Sequence, residues 1–428
     1  YRLNNRYLAD LALRRDGNTR FGPGKRFGNF GSLGLGWIIT EEDWAQKNFP
    51  SFLTFLKPSV NYGITGSDQV GEFRYLTQWG NSGIQDVPTI IGYDSVVPKI
   101  PQLQANEDFH WSTSRQINLS LEIGILNRIN IILNAYRNRT NDQLVSFPTG
   151  VYTGFSNVTA NSPAEVENKG WSISISAEAI KTKDFSWNIS FNTSRKWNKL
   201  LSYPNLELSP WATTYKVGES VDLRYMTKYL GVDPATGELM FVDQNKDGLI
   251  KSNSSVVPGT ADDDRIISVN IMPQFQGYMM HSFRYKNFNL SLNFTVSRFD
   301  APNLLNGRNG TMQNIGKWEY ENRWTTVGQE ALAPRLTVKQ SPQGAGSLGM
   351  SDGAYTRANF IRLGQASFNY LLSEKLAKKI GMQGMNIGLN GNNLFLLTNY
   401  QGMDPEKGNN PSGQPLMSTI SLTVNCNF

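Results

Sequence analysis

Apolar and polar residues take turns, one by one, in stretch after stretch of this chain. In WSISISAEA, Trp171, Ile173, Ile175, Ala177 and Ala179 fall on one side, and Ser172, Ser174, Ser176 and Glu178 on the other. FSWNISF repeats the pattern with Phe185, Trp187, Ile189 and Phe191 against Ser186, Asn188 and Ser190, and FNLSLNF with Phe288, Leu290, Leu292 and Phe294 against Asn289, Ser291 and Asn293. INLSLEI (117–123) and RINIILNAY (128–136) continue it, with Ile132 breaking the polar side. A period of two belongs to the strand, whose successive side chains leave opposite faces of a sheet.

The spaces between these strands fall into two classes. Tight ones are NN at 4–5, LN at 126–127, TKD at 182–184 and KN at 286–287, with short helix-like pieces EEDWAQK and SEKLAKKIG at two more. Long ones cover 66–108, 140–165, 199–268 and 299–356, with shorter members near 15–27 and 397–415. Tight and long alternate through about twelve strands. That is the parity of an up-and-down antiparallel meander with unequal rims, which transmembrane β-barrels display as short turns on one side and long loops on the other. A soluble sandwich or propeller would scatter its loop lengths, and loops this long are uncommon in compact domains unless they have a function. The fold class expected is therefore all-β, an antiparallel transmembrane barrel.

Composition is compatible with that reading. Mean hydropathy is -0.40, and no apolar run approaches the roughly 18 residues a membrane-crossing helix needs. Strands with one oily and one wet face average to a polar composition all the same. The balance of 41 Lys+Arg against 35 Asp+Glu contains no basic run of the kind that tracks nucleic acid. One cysteine (Cys426) and two histidines (His110 and His281) leave little for disulfide, thiolate-metal or zinc chemistry. Trp37, Tyr62, Trp111, Tyr136, Trp171, Trp197, Tyr285, Phe288, Tyr370 and Phe428 are expected at or near strand ends, as interfacial girdles require. In LMSTISLTVNCNF, Ile420, Leu422, Val424, Cys426 and Phe428 share one face. Ile420, Leu422, Val424 and Phe428 are read as lipid-facing residues and as a membrane-insertion signal. The opening YRLNNRYLAD has no initiator Met, no signal segment and no cleavage site, so further chain is expected before it.

The sharpest local motif is DQNKDGLI. Asp243, Asn245 and Asp247 supply oxygen ligands at alternate positions, Gly248 permits the sharp turn and Leu249 can offer its carbonyl. That spacing suits a hard cation such as Ca²⁺. Ser254 stands where an EF-hand has its closing Glu, so Asp262, Asp263 or Asp264 would have to fold back to complete the site. No catalytic constellation emerges: no Ser lies in a G-x-S-x-G turn, and His110 and His281 read as satisfied polar groups in or beside strands. Glu41 and Glu42 read as the first turn of a short helix, favourable to its dipole. The glycines at 31, 34 and 36 read as close packing in a strand. The chain is not expected to be an enzyme.

RYLADLALRRDGNTRFGPGKRFGNFGSLGLGWIITEEDW resembles the strand, loop and returning strand of SusC-like TonB-dependent transporters. The matching residues are Arg15, Asp16, Gly17, Arg20, Phe21, Gly22, Gly36, Trp37, Glu41 and Glu42. LKPSVNYGITGSDQVG, NRINIILNAYRNRTNDQL, LGVDPATGELMFVDQNKDGLI, DDDRIIS, ENRWTTVG, YTRANFIRLGQASFNYLL and GNNLFLLTNYQGMDPE follow in the family's order and span nearly the whole chain. The family usually has NGDG where NKDG stands here, and KSNSSVVPGTA displaces a DNDR-like site, which puts loop details in doubt. The resemblance implies an outer-membrane protein of a Gram-negative bacterium, with a barrel of about twenty-two strands whose lumen needs a plug. Residues 1–428 would be its C-terminal portion, with an N-terminal plug domain and the first strands outside this chain. It further implies contact with the TonB complex through that plug, a SusD-like surface lipoprotein as lid, and import of a glycan or peptide. The alternative is a passive or structural barrel that scaffolds surface lipoproteins. Trp79, Tyr152, Trp211, Tyr225 and Tyr229 lie in expected external loops, open to two uses: stacking on sugar faces, or packing against the lid.

Overall fold

A computed structural model describes the chain except for residues 82–98, 156, 253–254, 261, 271, 304–314, 338–347, 401, 403 and 408–413. Twelve long strands pair antiparallel, each with its neighbours in chain order: Tyr7–Gly17, Phe27–Trp37, Leu53–Ser67, Ser112–Ile125, Ile129–Asn141, Glu165–Lys181, Phe185–Ser202, Phe275–Tyr285, Phe288–Pro302, Tyr355–Leu371, Gly384–Thr398 and Thr419–Asn427. The two-residue strand Arg2–Leu3 adds a thirteenth at one edge of the sheet, and Thr419–Asn427 forms the other. Tight reversals join alternate pairs. They rest on left-handed backbone at Asn4, Asn5, Leu126, Asn127 and Lys286, with φ between 48° and 56°, a conformation Asn accepts more readily than most residues.

Register converts the period of two into two continuous surfaces. One row of directly paired residues runs Ile123, Ile131, Ile175, Phe191, Met279, Phe294, Leu363, Phe395 across eight strands without a polar side chain. A second runs Ile180, Trp187, Phe283, Leu290, Phe368, Leu389, Leu422. One residue over, on the opposite face, the row reads Glu178, Asn188, Ser282, Ser291, Ser367, Asn390, Ser421. A slip of one residue at any strand would drive Ser and Asn into the oily surface. The apolar face has nothing over it: Leu11, Leu13 and Ile420 are 70%, 81% and 72% exposed. Apolar surface of this extent is far larger than a water-facing monomer leaves bare.

Girdle aromatics fall partly where expected. At the tight-turn rim Phe185, Tyr285, Phe288 and Tyr370 form one paired row, with Phe288 and Tyr370 rings 4.7 Å apart, and Tyr7 opposes Trp37. Tyr62, Tyr136, Trp171 and Trp197 instead lie well inside their strands. The reason is length: these strands run 13 to 18 residues, whereas about 9 to 11 tilted residues cross the hydrocarbon. The surplus projects beyond the far rim.

The long connections are not bare loops. Gln78–Asn81, Lys99–Gln104, Asn157–Asn161 and Leu144–Pro148 make a four-stranded sheet with one parallel pair, Asn157–Asn161 beside Lys99–Gln104. Leu223–Thr227 pairs with Arg265–Asn270, and Tyr229–Val232 with Leu239–Phe241. The buried apolar residues gather where these connections meet the loop-side ends of the long strands. Phe21, Phe30, Phe109 and Trp111 form one cluster, Ala164, Val166, Leu200 and Tyr203 another, and Val232, Leu239, Phe241 and Leu348 a third.

Candidate functional site

The loop-bearing rim is where side chains of different segments converge. The segment carrying Thr227 to Phe241 is stitched to the one that begins near Leu348: Thr227 N–H donates to the Met350 carbonyl at 3.0 Å, Tyr229 N–H to Asp352 Oδ1 at 2.7 Å, and Lys228 Nζ pairs with Asp352 Oδ2 at 2.8 Å. Beside this seam lies a cavity of about 370 Å³, bounded in part by Lys228, Tyr229, Trp318, Asp352, Tyr355 and Tyr400. Burial pushes the Tyr229 phenol up to about 12. With its ammonium and carboxylate already paired, the cavity offers aromatic faces and hydrogen-bonding groups but little net charge.

A second junction fastens the segment before the last strand. Arg362 and Asp404 are 5% and 2% exposed, and Arg362 Nη2 donates to Asp404 Oδ1 at 2.7 Å. The same carboxylate accepts the Glu406 and Leu416 backbone N–H groups at 2.9 and 3.1 Å. Burial alone would raise the Asp404 carboxyl, but those two amides and the guanidinium hold it below the usual range. Neither residue is picked out by the sequence pattern, since a buried Arg on the polar face looks like any lumen-side cation.

The acidic turn folds as its spacing predicts, and its oxygens turn inward on the loop. Asp243 Oδ1 and Oδ2 accept the Lys246 and Gly248 N–H groups at 2.6 and 2.8 Å. Asp247 accepts the Leu249 N–H at 2.8 Å and an ion pair from Lys251, while Asn245 Oδ1 takes the Asp247 N–H at 3.1 Å. The Lys251 ammonium and the Leu249 amide hold the Asp247 carboxyl below its ordinary value. Asp264 does fold back, and spends its carboxylate on the Gln244 and Lys251 amides at 2.7 and 2.8 Å. Asp263 is fully buried against Arg265 at 2.8 Å, and Asp262 stays exposed. Among the described residues no three His, Cys, Asp or Glu side chains converge as metal ligands. In this conformation the donor set is closed by its own amides and Lys251, not laid open for a cation.

The remaining expected residues divide. Trp79 and Tyr152 stand 60% and 95% exposed. Trp211 packs against Phe147 and Tyr203 with ring centroids 4.9 and 6.3 Å apart, Tyr229 against Phe241 at 5.7 Å, and Tyr225 sits within the strand Leu223–Thr227. Trp211 and Tyr229 are thus engaged in loop packing. His110 is held at a strand start by Asn161, which accepts its N–H at 2.9 Å and donates to its carbonyl at 2.8 Å. His281 accepts the Trp187 indole N–H at 3.2 Å. Glu42 departs from the helix-dipole reading: it precedes the helix Asp43–Asn48 but makes no side-chain cap. Its carboxylate accepts Tyr7 Oη at 2.7 Å, Trp37 Nε1 at 3.0 Å and Arg6 Nη1 at 3.1 Å, pinning the tight-turn rim. A Cβ on Gly31 would come within 2.9 Å of the Ala12 carbonyl, as close strand packing requires. Ile420, Leu422 and Val424 lie exposed on the final strand, and Phe428 just beyond it.

Comparison with known proteins agrees with this architecture. No family model matches the chain. It is 26% identical to TonB-dependent receptor P39 of Formosa agariphila over 96% of this chain and 43% of that protein. It is 27% identical to TonB-dependent receptor SusC of Bacteroides thetaiotaomicron over 100% of this chain and 43% of that protein. The RagAB peptide transporter superposes with a TM-score of 0.78 at 22% identity, covering 99% of this chain and 46% of that one. The chain therefore spans somewhat less than half the length of these relatives. Along its whole length the chain is similar in sequence to SusC-like TonB-dependent receptors, and its fold is similar to part of the barrel of one such structure.

Proposed function

We propose that this chain is the C-terminal part of the barrel of an outer-membrane importer, which takes up a nutrient with energy delivered through TonB. The observation that carries the reading is the continuous apolar face traced over eight strands, backed by a polar face one residue over. Such a sheet is stable only with hydrocarbon outside and water inside, and its two edges must find partners because unpaired backbone is intolerable in lipid. The other strands and a plug, from elsewhere in the same protein, would close it. Relatives named as TonB-dependent receptors support energised import; the likeness to the RagAB peptide transporter makes a peptide one proposed cargo, and a glycan, which the family resemblance implies, is the other. A SusD-like lipoprotein over the long-loop rim is the proposed partner, with exposed Trp79 and Tyr152 as its candidate contacts.

The final strand serves as the proposed insertion signal, through Ile420, Leu422, Val424 and Phe428. For the acidic turn, we infer a structural latch in place of a standing calcium site, because Lys251 already neutralises Asp247. Uptake of labelled oligosaccharide or peptide by cells carrying the full-length protein tests the main reading: it is expected to vanish when TonB is deleted. Uptake that persists without TonB favours the passive barrel, and a full-length protein that stays folded and monomeric in detergent-free buffer removes both.

A further inference from the structure

On four adjacent strands the apolar face ends abruptly on a cation. Counting from the tight-turn rim, the outward residues of four adjacent strands stay apolar or nearly so for roughly ten positions, and then come Arg115, Arg137, Lys169 and Arg195. Ten residues span ~33 Å of strand, or about 25 Å of height at the usual tilt, which is the thickness of a barrel's lipid-facing band. One step further out stand Arg139 and Lys199. The tight-turn rim of the same face ends instead on the apolar and aromatic paired row Phe185, Tyr285, Phe288, Tyr370, Ile387, Val424, where Lys286 lies 5.5 Å from the Tyr285 ring centroid.

The register makes the patch electrostatically awkward. Arg115 lies directly opposite Arg139, and Arg137 opposite Lys169. Like charges in direct cross-strand register repel. Glu167 relieves part of this, taking Arg137 Nε at 2.6 Å and Arg139 Nε at 3.1 Å, and Glu165 lies 3.7 Å from Arg139. Among the described residues no carboxylate pairs with Arg115, Lys169, Arg195 or Lys199, so six cations face two carboxylates. Trp197 joins them, with the Arg195 guanidinium 4.9 Å from its ring centroid, and indoles favour the headgroup level.

We propose that this outward patch on the strands Ser112–Ile125 to Phe185–Ser202 is a binding site for the phosphate groups of a phosphorylated lipid in the external leaflet. The proposal rests on the membrane-barrel reading, which sets lipid against this face. Guanidinium forks match phosphate oxygens, the long side chains reach up from the oily band to headgroup level, and an anion between Arg115, Arg139, Arg137 and Lys169 turns repulsion into attraction. Lipid phosphate, and not free phosphate, is the source because the cations begin where the acyl-facing surface stops.

The test uses the full-length protein in detergent micelles, titrated with diphosphoryl lipid A and followed by native mass spectrometry. Retention is expected to weaken about tenfold or more in the variant R137Q/K169Q/R195Q/K199Q. It should also weaken with dephosphorylated lipid, and stay unchanged in the control K181Q/K183Q at the other rim. Millimolar inorganic phosphate should compete poorly. Equal retention of both lipids, or equal retention by the quadruple variant, overturns the proposal, as does full competition by inorganic phosphate, which would mean a free-anion site. Insertion into phosphatidylcholine vesicles is measured alongside: its failure in the unaltered protein sinks the membrane reading, whereas normal insertion without phosphate preference sinks this site alone. If the quadruple variant fails to insert, the single variant K199Q, at the patch edge, is used, with a smaller loss of retention expected.

Discussion

The sheet wall and the loop assembly above it are built on opposite plans. The wall has almost no buried core of its own; its apolar side chains sit on the surface in paired rows, and its stability depends on what solvent meets that surface. The loops hide their apolar residues in small clusters such as Phe21, Phe30, Phe109 and Trp111, and tie segments together with buried charge, as Arg362 does with Asp404. A wall of this kind tolerates change on one face only, whereas the loop assembly depends on single contacts. Under the importer reading proposed above, that difference assigns specificity to the loops and the permeability barrier to the wall.

The contrast can be broken most forcefully at the loop junction. Arg362→Ala leaves the Asp404 carboxylate buried without its cation, a loss of about 3 to 5 kcal/mol for such pairs. Limited proteolysis is expected to cut the segment around 404–416 first, with the barrel still heat-modifiable on gels. If instead the whole barrel unfolds at once, the two regions are not independent.

In the wall, Ile175→Arg puts a charge into the row between Ile131 and Phe191, at a cost of about 2 to 4 kcal/mol when that face meets hydrocarbon. Ser174→Arg, one residue away on the polar face, is expected to cost far less. Urea titration of folded protein in lipid vesicles compares them, and equal losses would remove the distinction between the faces.

Glu42 gives a smaller effect with a defined sign. Hydrogen bonds from Tyr7 and Trp37, with Arg6 nearby, hold its carboxyl below the ordinary value of 4.5. A depressed folded value means that its stabilisation is fully present above 4.5 and fades as pH falls through the lowered value. Hydrogen-exchange protection of the helix Asp43–Asn48, relative to the intrinsic rate at each pH, should therefore fall on acidification below about 4.5, and Glu42→Gln should abolish that dependence. The weakest expected response is to calcium: adding it should leave the thermal transition of the unaltered protein in place, and a clear upward shift would show that Ca²⁺ displaces Lys251.

Much of the wall was legible because period two and turn spacing are local properties. WSISISAEA declares its two faces without any partner, and the alternation of tight and long connections locates the rims. The girdle is less legible in the sequence. Tyr62, Tyr136, Trp171 and Trp197 were expected near strand ends, but strand length beyond the bilayer depends on pairing that no single segment records. The acidic turn shows the same limit: Asp243, Asn245 and Asp247 predict a turn with oxygen donors, and only the fold reveals that Lys251 and the amides of Lys246, Gly248 and Leu249 bond to them.

By itself, then, the sequence determined that this chain makes strands with one oily and one wet side, because side-chain alternation follows from backbone geometry within each strand. Tertiary structure alone decided which cations oppose each other, that Glu42 locks a rim instead of capping a helix, and that Arg362 meets Asp404 across 42 residues. Those outcomes depend on register and on long-range closure, and the free energy of placing a charge is set by neighbours that the local sequence does not contain.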